Sequence, residues 1–93
     1  MRKFDVLALG ELNVDLIMTG LSTLPVPGRE IIAKTCSLTL GSSTAICAAG
    51  MARLGLATSF LGVAGDDSYG RLVLNRLTDY GVDTGNIIID SEV

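Results

Sequence analysis

Asn13 and Asp15 stand two residues apart at the head of a short apolar run, Val14-Asp15-Leu16-Ile17-Met18, so their side chains share one side of a strand. A carboxylate in that position is a bidentate acceptor for two hydroxyl groups, and the neighbouring amide both donates and accepts. Burying Asp15 unpaired between Val14 and Leu16 would be costly. Either it meets a polyhydroxylated ligand or it faces outward on an exposed strand. Gly41-Ser42-Ser43-Thr44 is a second candidate. Gly41 lets the backbone approach a ligand, and the hydroxyls and helix amides that follow suit sugar-like groups. Ser42 or Ser43 serves equally as a plain helix N-cap. A third stretch, Gly62-Val63-Ala64-Gly65-Asp66-Asp67-Ser68-Tyr69-Gly70, joins a strand to a helix. Its amides are placed to cradle an anion, whereas its two aspartates cap a helix and disfavour phosphate.

The elements that must position these residues follow from the apolar pattern. Phe4 to Leu9 is a short apolar run ended by Gly10, which predicts a strand buried on both faces. Val14 to Met18 predicts a second strand, and Thr19 to Gly28 has loop composition. Glu30 to Leu40 places Ile32, Cys36, Leu38 and Leu40 on one parity with Lys34 breaking the face. That pattern predicts a half-exposed strand or bent ribbon. Ser43 to Leu54 predicts a helix with small packing residues, closed by Gly55. Thr58 to Val63 predicts a strand and Ala64 to Asp67 a turn. An amphipathic helix over Ser68 to Tyr80 follows, closed by Gly81, and a strand begins at Asn86 to Ile89. The later alternation of strand and helix is that of an α/β parallel sheet with covering helices.

Composition narrows the function. At 93 residues the chain holds one domain at most, and its net charge of −3 argues against a nucleic-acid partner. It has no histidine, which removes His-based acid/base chemistry, and Cys36 and Cys47 form neither a zinc motif nor a disulfide framework. No apolar run reaches the roughly 18 residues of a membrane span, and Met1-Arg2-Lys3-Phe4-Asp5 opens no secretory leader. A soluble, cytoplasmic chain is the expectation. Two nucleotide motifs fail. Gly10-Glu11-Leu12-Asn13 carries one glycine and leads into a strand, unlike a dinucleotide fingerprint, and neither Lys3 nor Lys34 lies in a phosphate-loop motif.

Four blocks in order resemble the N-terminal third of the ribokinase (PfkB) family of carbohydrate kinases, over essentially the whole chain. They are Leu7 to Asp15 (LALGELNVD), Pro27 to Glu30 leading to Gly41 and Ala45 to Gly55 (AICAAGMARLG), Gly62 to Gly70, and Leu77 to Thr84 (LTDYGVDT). The resemblance implies a ribokinase-like parallel sheet with covering helices. It also implies a β-sheet lid at about residues 11–40, all belonging to one kinase domain that residues 1–93 begin. It implies phosphoryl transfer from ATP to a sugar, nucleoside or polyol hydroxyl. By the same resemblance Asn13, Asp15, Gly41, Ser42 and Ser43 bind substrate, and the lid strands pair in a homodimer. The family's catalytic aspartate belongs to a later Asp-Thr-x-Gly-Ala-Gly-Asp motif absent from this chain, so no catalytic residue is assigned. ATP and Mg2+ are then expected to bind outside it.

Two positions depart from the family pattern: Ser42 replaces the second glycine of a Gly-Gly pair, and Ile46 replaces a substrate-contacting asparagine. An isoleucine neither donates nor accepts a hydrogen bond, which shifts the expected acceptor away from ribose. The alternative reading is a standalone, non-catalytic sugar-binding or dimerisation module.

Overall fold

A computed structural model describes residues 3–92; Met1, Arg2 and Val93 lie outside the described residues, and with them the start of the N-terminal reading. Chain order is β1 (Val6–Leu9), β2 (Val14–Thr19), β3 (Thr35–Leu40), α1 (Ser43–Arg53), β4 (Thr58–Gly65), α2 (Ser68–Asp79) and β5 (Ile87–Asp90). β1, β4 and β5 form a parallel sheet in that order, and β2 and β3 form a separate antiparallel ribbon.

Both helices lie on one face of the parallel sheet. Ala45, Ala48 and Ala49 of α1 and Val73 and Leu77 of α2 are buried with Ala8, Phe60 and Ala64 of the strands. The alanine side of α1 brings its backbone close to the sheet, and Phe60 fills the space between helices and strands. The opposite face is open. Register places Leu9 beside Leu61 and Val63 beside Ile88, and Leu7 and Leu9 are 60% and 71% exposed. The first strand is therefore covered on one face only, a correction to its reading as buried on both. A continuous apolar run signals burial capacity, but which faces are covered depends on the helices present.

Other boundaries moved for local reasons. β4 continues through Ala64 and Gly65, where a turn was expected, because both residues stay paired to Ile89 and Asp90 of β5. β3 begins only at Thr35, so the stretch from Glu30 to Lys34 is not strand. Ile32 is 87% exposed there, which removes it from the apolar parity it shares in sequence. α1 starts at the predicted residue and stops one short of Leu54. Gly55 and Gly81 follow the helices at positive φ.

The ribbon sorts its side chains by register. Val14, Leu16 and Met18 face the same way as Leu40, Leu38 and Cys36, while Asp15, Ile17 and Thr19 face the same way as Thr39, Ser37 and Thr35. One face is wholly apolar and the other mostly polar. The hydroxyls of Thr19 and Thr35 hydrogen-bond across the polar face. The ribbon projects from the sheet, so the radius of gyration is 16.0 Å against the roughly 12 Å of a compact domain this long.

The link after α2 is fixed by a buried serine. The Ser59 hydroxyl donates to Asp83 Oδ2 at 3.2 Å and accepts from the Asn86 amide at 3.1 Å. Asp83 thereby ties the α2–β5 connection to β4. At the other end of α2, Asp67 Oδ1 accepts from the Gly70 amide at 2.8 Å, and Gly70 packs directly on the backbone of Gly65. A Cβ at Gly70 would collide with the Gly65 carbonyl oxygen, whereas one at Gly50 would meet nothing within 4 Å. Gly70→Ala is therefore expected to lower stability by about 2 kcal/mol or more, and Gly50→Ala to raise it by about 0.5–1 kcal/mol. Urea unfolding of the two variants checks the pair; equal midpoints would contradict this packing.

Candidate functional site

The Gly41 amide donates to the Asn13 carbonyl at 2.8 Å, which continues the β2–β3 ladder by one further residue pair at its base. This brings three of the five sequence-assigned residues together. A Cβ built on Gly41 would stand 2.7 Å from Asp15 Oδ1 and 3.1 Å from Asn13 Oδ1. Only glycine leaves both oxygens room to point across position 41. Asn13 and Asp15 share one side, as their spacing predicts, and Gly41 is the buried floor between them.

Asp15 is exposed, and Val14 and Leu16 turn to the opposite face. Its apolar neighbours in sequence therefore impose no desolvation penalty, and the carboxylate is available to a ligand without one. Thr39 stands directly opposite on the same polar face. Sequence reasoning passed over Thr39 because it followed the apolar parity of β3. The complementary alternation of Thr35, Ser37 and Thr39 was the signal.

Ser42 is the N-cap of α1. Its hydroxyl accepts from the Ala45 amide at 3.3 Å, and its backbone holds φ 72° and ψ 122°. It is the one non-glycine residue at positive φ among those described. The cap occupies the oxygen as an acceptor and leaves the O–H free to donate. Ser43 begins α1 exposed and lines a different hollow, with Leu7, Cys47 and Met51, so it is not brought to the Asn13–Asp15 oxygens. Thr44 packs against Gly10, where a Cβ would stand 2.7 Å from its Oγ1. Ile46 is 54% exposed and lines a hollow with Thr39 and Arg53, whose guanidinium lies 5.6 Å from the centre of the Tyr80 ring.

Asn13 also lines a cavity of about 270 Å³ on its other side, together with Gly65, Asp67 and Tyr69 of the β4–α2 turn. All of this lies at the carboxyl ends of the parallel strands, the edge where open α/β sheets bind ligands.

The chain's own residues do not fit a nucleotide triphosphate at the Gly62–Gly70 turn. The Gly70 amide is already taken by Asp67, and Asp66 and Asp67 put negative charge where an anion would sit. Among the described residues, no cluster of three or more acidic, cysteine or histidine side chains is placed to hold a metal, and no helix is long and apolar enough to cross a membrane.

The family model for pfkB family carbohydrate kinases matches residues 3–93. The chain belongs to that family. It is 36% identical over 89 residues to a 5-dehydro-2-deoxygluconokinase of Geobacillus thermodenitrificans, covering 96% of this chain and 25% of that protein. Ribokinase of Arabidopsis thaliana, solved with ribose and ATP, superposes with a TM-score of 0.78 at 31% identity, covering 92% of this chain and 28% of its own. Fructokinase of Halothermothrix orenii gives 0.78 at 28% identity, covering 95% and 30%. The chain thus spans about a quarter of the curated relatives it matches. The fold is the ribokinase fold, a parallel sheet with helices joined to a two-stranded ribbon.

Ser42 holds a positive φ without being glycine, and that makes its backbone a measurable feature. Ser42→Gly is expected to relieve the positive-φ strain at the cost of a few tenths of a kcal/mol in capping, a net gain of about 0.5–1 kcal/mol. Ser42→Ala keeps the strain and loses the cap, a loss of about 1 kcal/mol. Thermal midpoints of the two variants should move in opposite directions.

Proposed function

We propose that this chain is the acceptor-binding N-terminal part of an ATP-dependent kinase that transfers the γ-phosphate to a hydroxyl of a sugar, nucleoside or polyol. The observation that carries this reading is the convergence of Asp15 Oδ1 and Asn13 Oδ1 over Gly41. Two acceptor oxygens aimed across a floor without a side chain complement a pair of vicinal hydroxyls, with the Asp15 carboxylate accepting hydrogen bonds from them and the Asn13 amide giving direction. Family membership and the superposition on a ribokinase that binds ribose and ATP support the same chemistry.

In this reading each residue has a physical task. Asp15 and Asn13 orient the acceptor, Gly41 admits it to backbone contact, and the free O–H of Ser42 donates to it. The ribbon covers the acceptor and excludes water, which limits wasteful hydrolysis and strengthens the hydrogen bonds beneath. ATP and Mg2+ bind to parts of the kinase domain beyond these residues, because the turn before α2 suits neither. The open apolar face of the parallel sheet supports the view that further segments complete the domain. The apolar ribbon face of Leu16, Met18, Cys36 and Leu38 suits a homodimer in which two lids meet. The reading also implies a cytoplasmic enzyme with a small-molecule substrate and neither nucleic acid nor membrane as partner.

Asp15→Asn is the direct test, made in the longest natural polypeptide carrying these residues with ATP and a panel of sugars, nucleosides and polyols. A hydrogen bond to a charged group contributes about 1.5–3 kcal/mol, so kcat/KM for the acceptor should fall about 10- to 100-fold. The KM for ATP should stay unchanged. An unaltered kcat/KM for the acceptor would remove Asp15 from the site.

A further inference from the structure

We propose that Thr39 is a specificity-determining residue of the acceptor site, its hydroxyl bonding an oxygen function of the carbohydrate next to the pair held by Asp15 and Asn13. The proposal rests on the sugar-kinase reading above and adds a residue to the same site. On the polar face of the ribbon, four positions form the corners of one unit. Asn13 and Asp15 lie along β2, with Gly41 opposite Asn13 and Thr39 opposite Asp15. Three corners carry polar side chains and the fourth carries none. Directly opposed residues of an antiparallel pair stand about 4.5–5.5 Å apart at Cβ, so Thr39 is within reach of a ligand that Asp15 holds.

Within this unit the hydroxyl of Thr39 is left over. At the far end of the same face the opposed pair Thr19 and Thr35 bond to each other through their hydroxyls. Thr39 and Asp15 are opposed in the same way, yet the carboxylate leans along the diagonal. Its Oδ1 stands 2.7 Å from where a Cβ on Gly41 would sit, over the vacant corner. No bond joins it to Thr39, and among the described residues the Thr39 hydroxyl has no other hydrogen-bond partner. Thr35 and Ser37 of the same strand face are exposed to water, whereas Thr39 is half-buried at the ribbon base. A hydroxyl donates as well as accepts, and an ionised Asp15 only accepts. Thr39 therefore gives the site a group that can meet a ligand carbonyl or a ligand hydroxyl. Once the ribbon covers the acceptor, a Thr39 hydroxyl without a partner would be stranded away from water, which costs free energy. Acceptors with an oxygen at the adjoining carbon satisfy it, and deoxy analogues at that carbon are selected against.

The experiment compares Thr39→Val and Thr39→Ser with the wild type in the longest natural polypeptide carrying these residues. Steady-state kinetics use ATP with a panel of pentoses, hexoses and sugar acids, then with deoxy analogues of the preferred acceptor, alongside thermal unfolding. Thr39→Val keeps the branched shape and removes the hydroxyl. It is expected to lower kcat/KM for the preferred acceptor about 5- to 10-fold while the KM for ATP and the thermal midpoint stay unchanged. Thr39→Ser keeps the hydroxyl and is expected to stay within about twofold of the wild type. One deoxy analogue should be used equally well by wild type and Thr39→Val, because it lacks the oxygen that Thr39 holds. An unchanged kcat/KM in Thr39→Val overturns the contact and leaves the kinase reading standing. A Ser variant as impaired as the Val variant, or a loss that comes with a lowered thermal midpoint, overturns it in favour of packing. A loss that persists on every deoxy analogue still phosphorylated overturns it in favour of Thr39 acting through Asp15. Wild-type protein that turns over no member of the panel removes the sugar-kinase reading and the role of Thr39 with it.

Discussion

The hydrogen bond from the Gly41 amide to the Asn13 carbonyl, 2.8 Å long, fixes the arrangement of the site. It sets the register of the ribbon, and register in a two-stranded antiparallel pair decides everything about its faces. A slip of one residue would set Asp15 opposite Leu38 or Leu40 and put Thr39 on the face of Val14 and Leu16. It would also carry Gly41 away from the two oxygens that need its missing side chain. The same bond places α1 directly after the ribbon, so the helix start, the ribbon base and the carboxyl edge of the parallel sheet meet in one place. A short β-ribbon is marginal by itself. Here its base is held by Leu40, which is buried in the common core, and by partly buried Leu12 and Val14 packed against that core.

The parallel sheet supplies the rigid part. Phe60 and Leu77 are fully buried, and the alanines of α1 let the helix lie close to β1 and β4. Thr58 and Ser59 are the buried polar residues among those described, and Ser59 is the one tied to the α2–β5 link. Its pairing with Asp83 and Asn86 satisfies a hydroxyl that would otherwise be stranded, and it explains physically why an aspartate follows Gly81 and Val82. The other sheet face carries leucine, valine and isoleucine into solvent. The proposed binding of an acceptor thus combines a stiff sheet with a projecting ribbon. The oxygens of Asn13 and Asp15 lie at the base of that ribbon, where it is anchored to the core.

Much of this was legible in the residues, for identifiable reasons. Helix α1 was readable because small residues, a serine cap and Gly55 agree at every level, and α2 because Val73 and Leu77 recur at helical spacing. Asn13 and Asp15 were readable as a same-side pair because strand periodicity is strict. The second half of the lid segment was less so. Partial alternation from Glu30, broken at Lys34, predicted a strand or bent ribbon over the whole stretch, but strand pairing starts only at Thr35, since local pattern does not reveal where a partner strand ends. The first strand's exposed face was hidden for a similar reason, as hydrophobicity reports what a face tolerates and not what covers it.

By itself, the sequence determined the element types, the pairing of polar groups at positions 13 and 15, and the helix caps. These depend on neighbours within a few residues, where dihedral preference and periodicity act. Tertiary structure alone decided that Gly41 lies beneath both acceptor oxygens, that Ser43 turns away from them, and that Tyr69 shares a cavity with Asn13. Those relations join residues far apart in the chain. They exist only because ribbon register and sheet order bring three separate segments to one edge, and no local preference encodes that meeting.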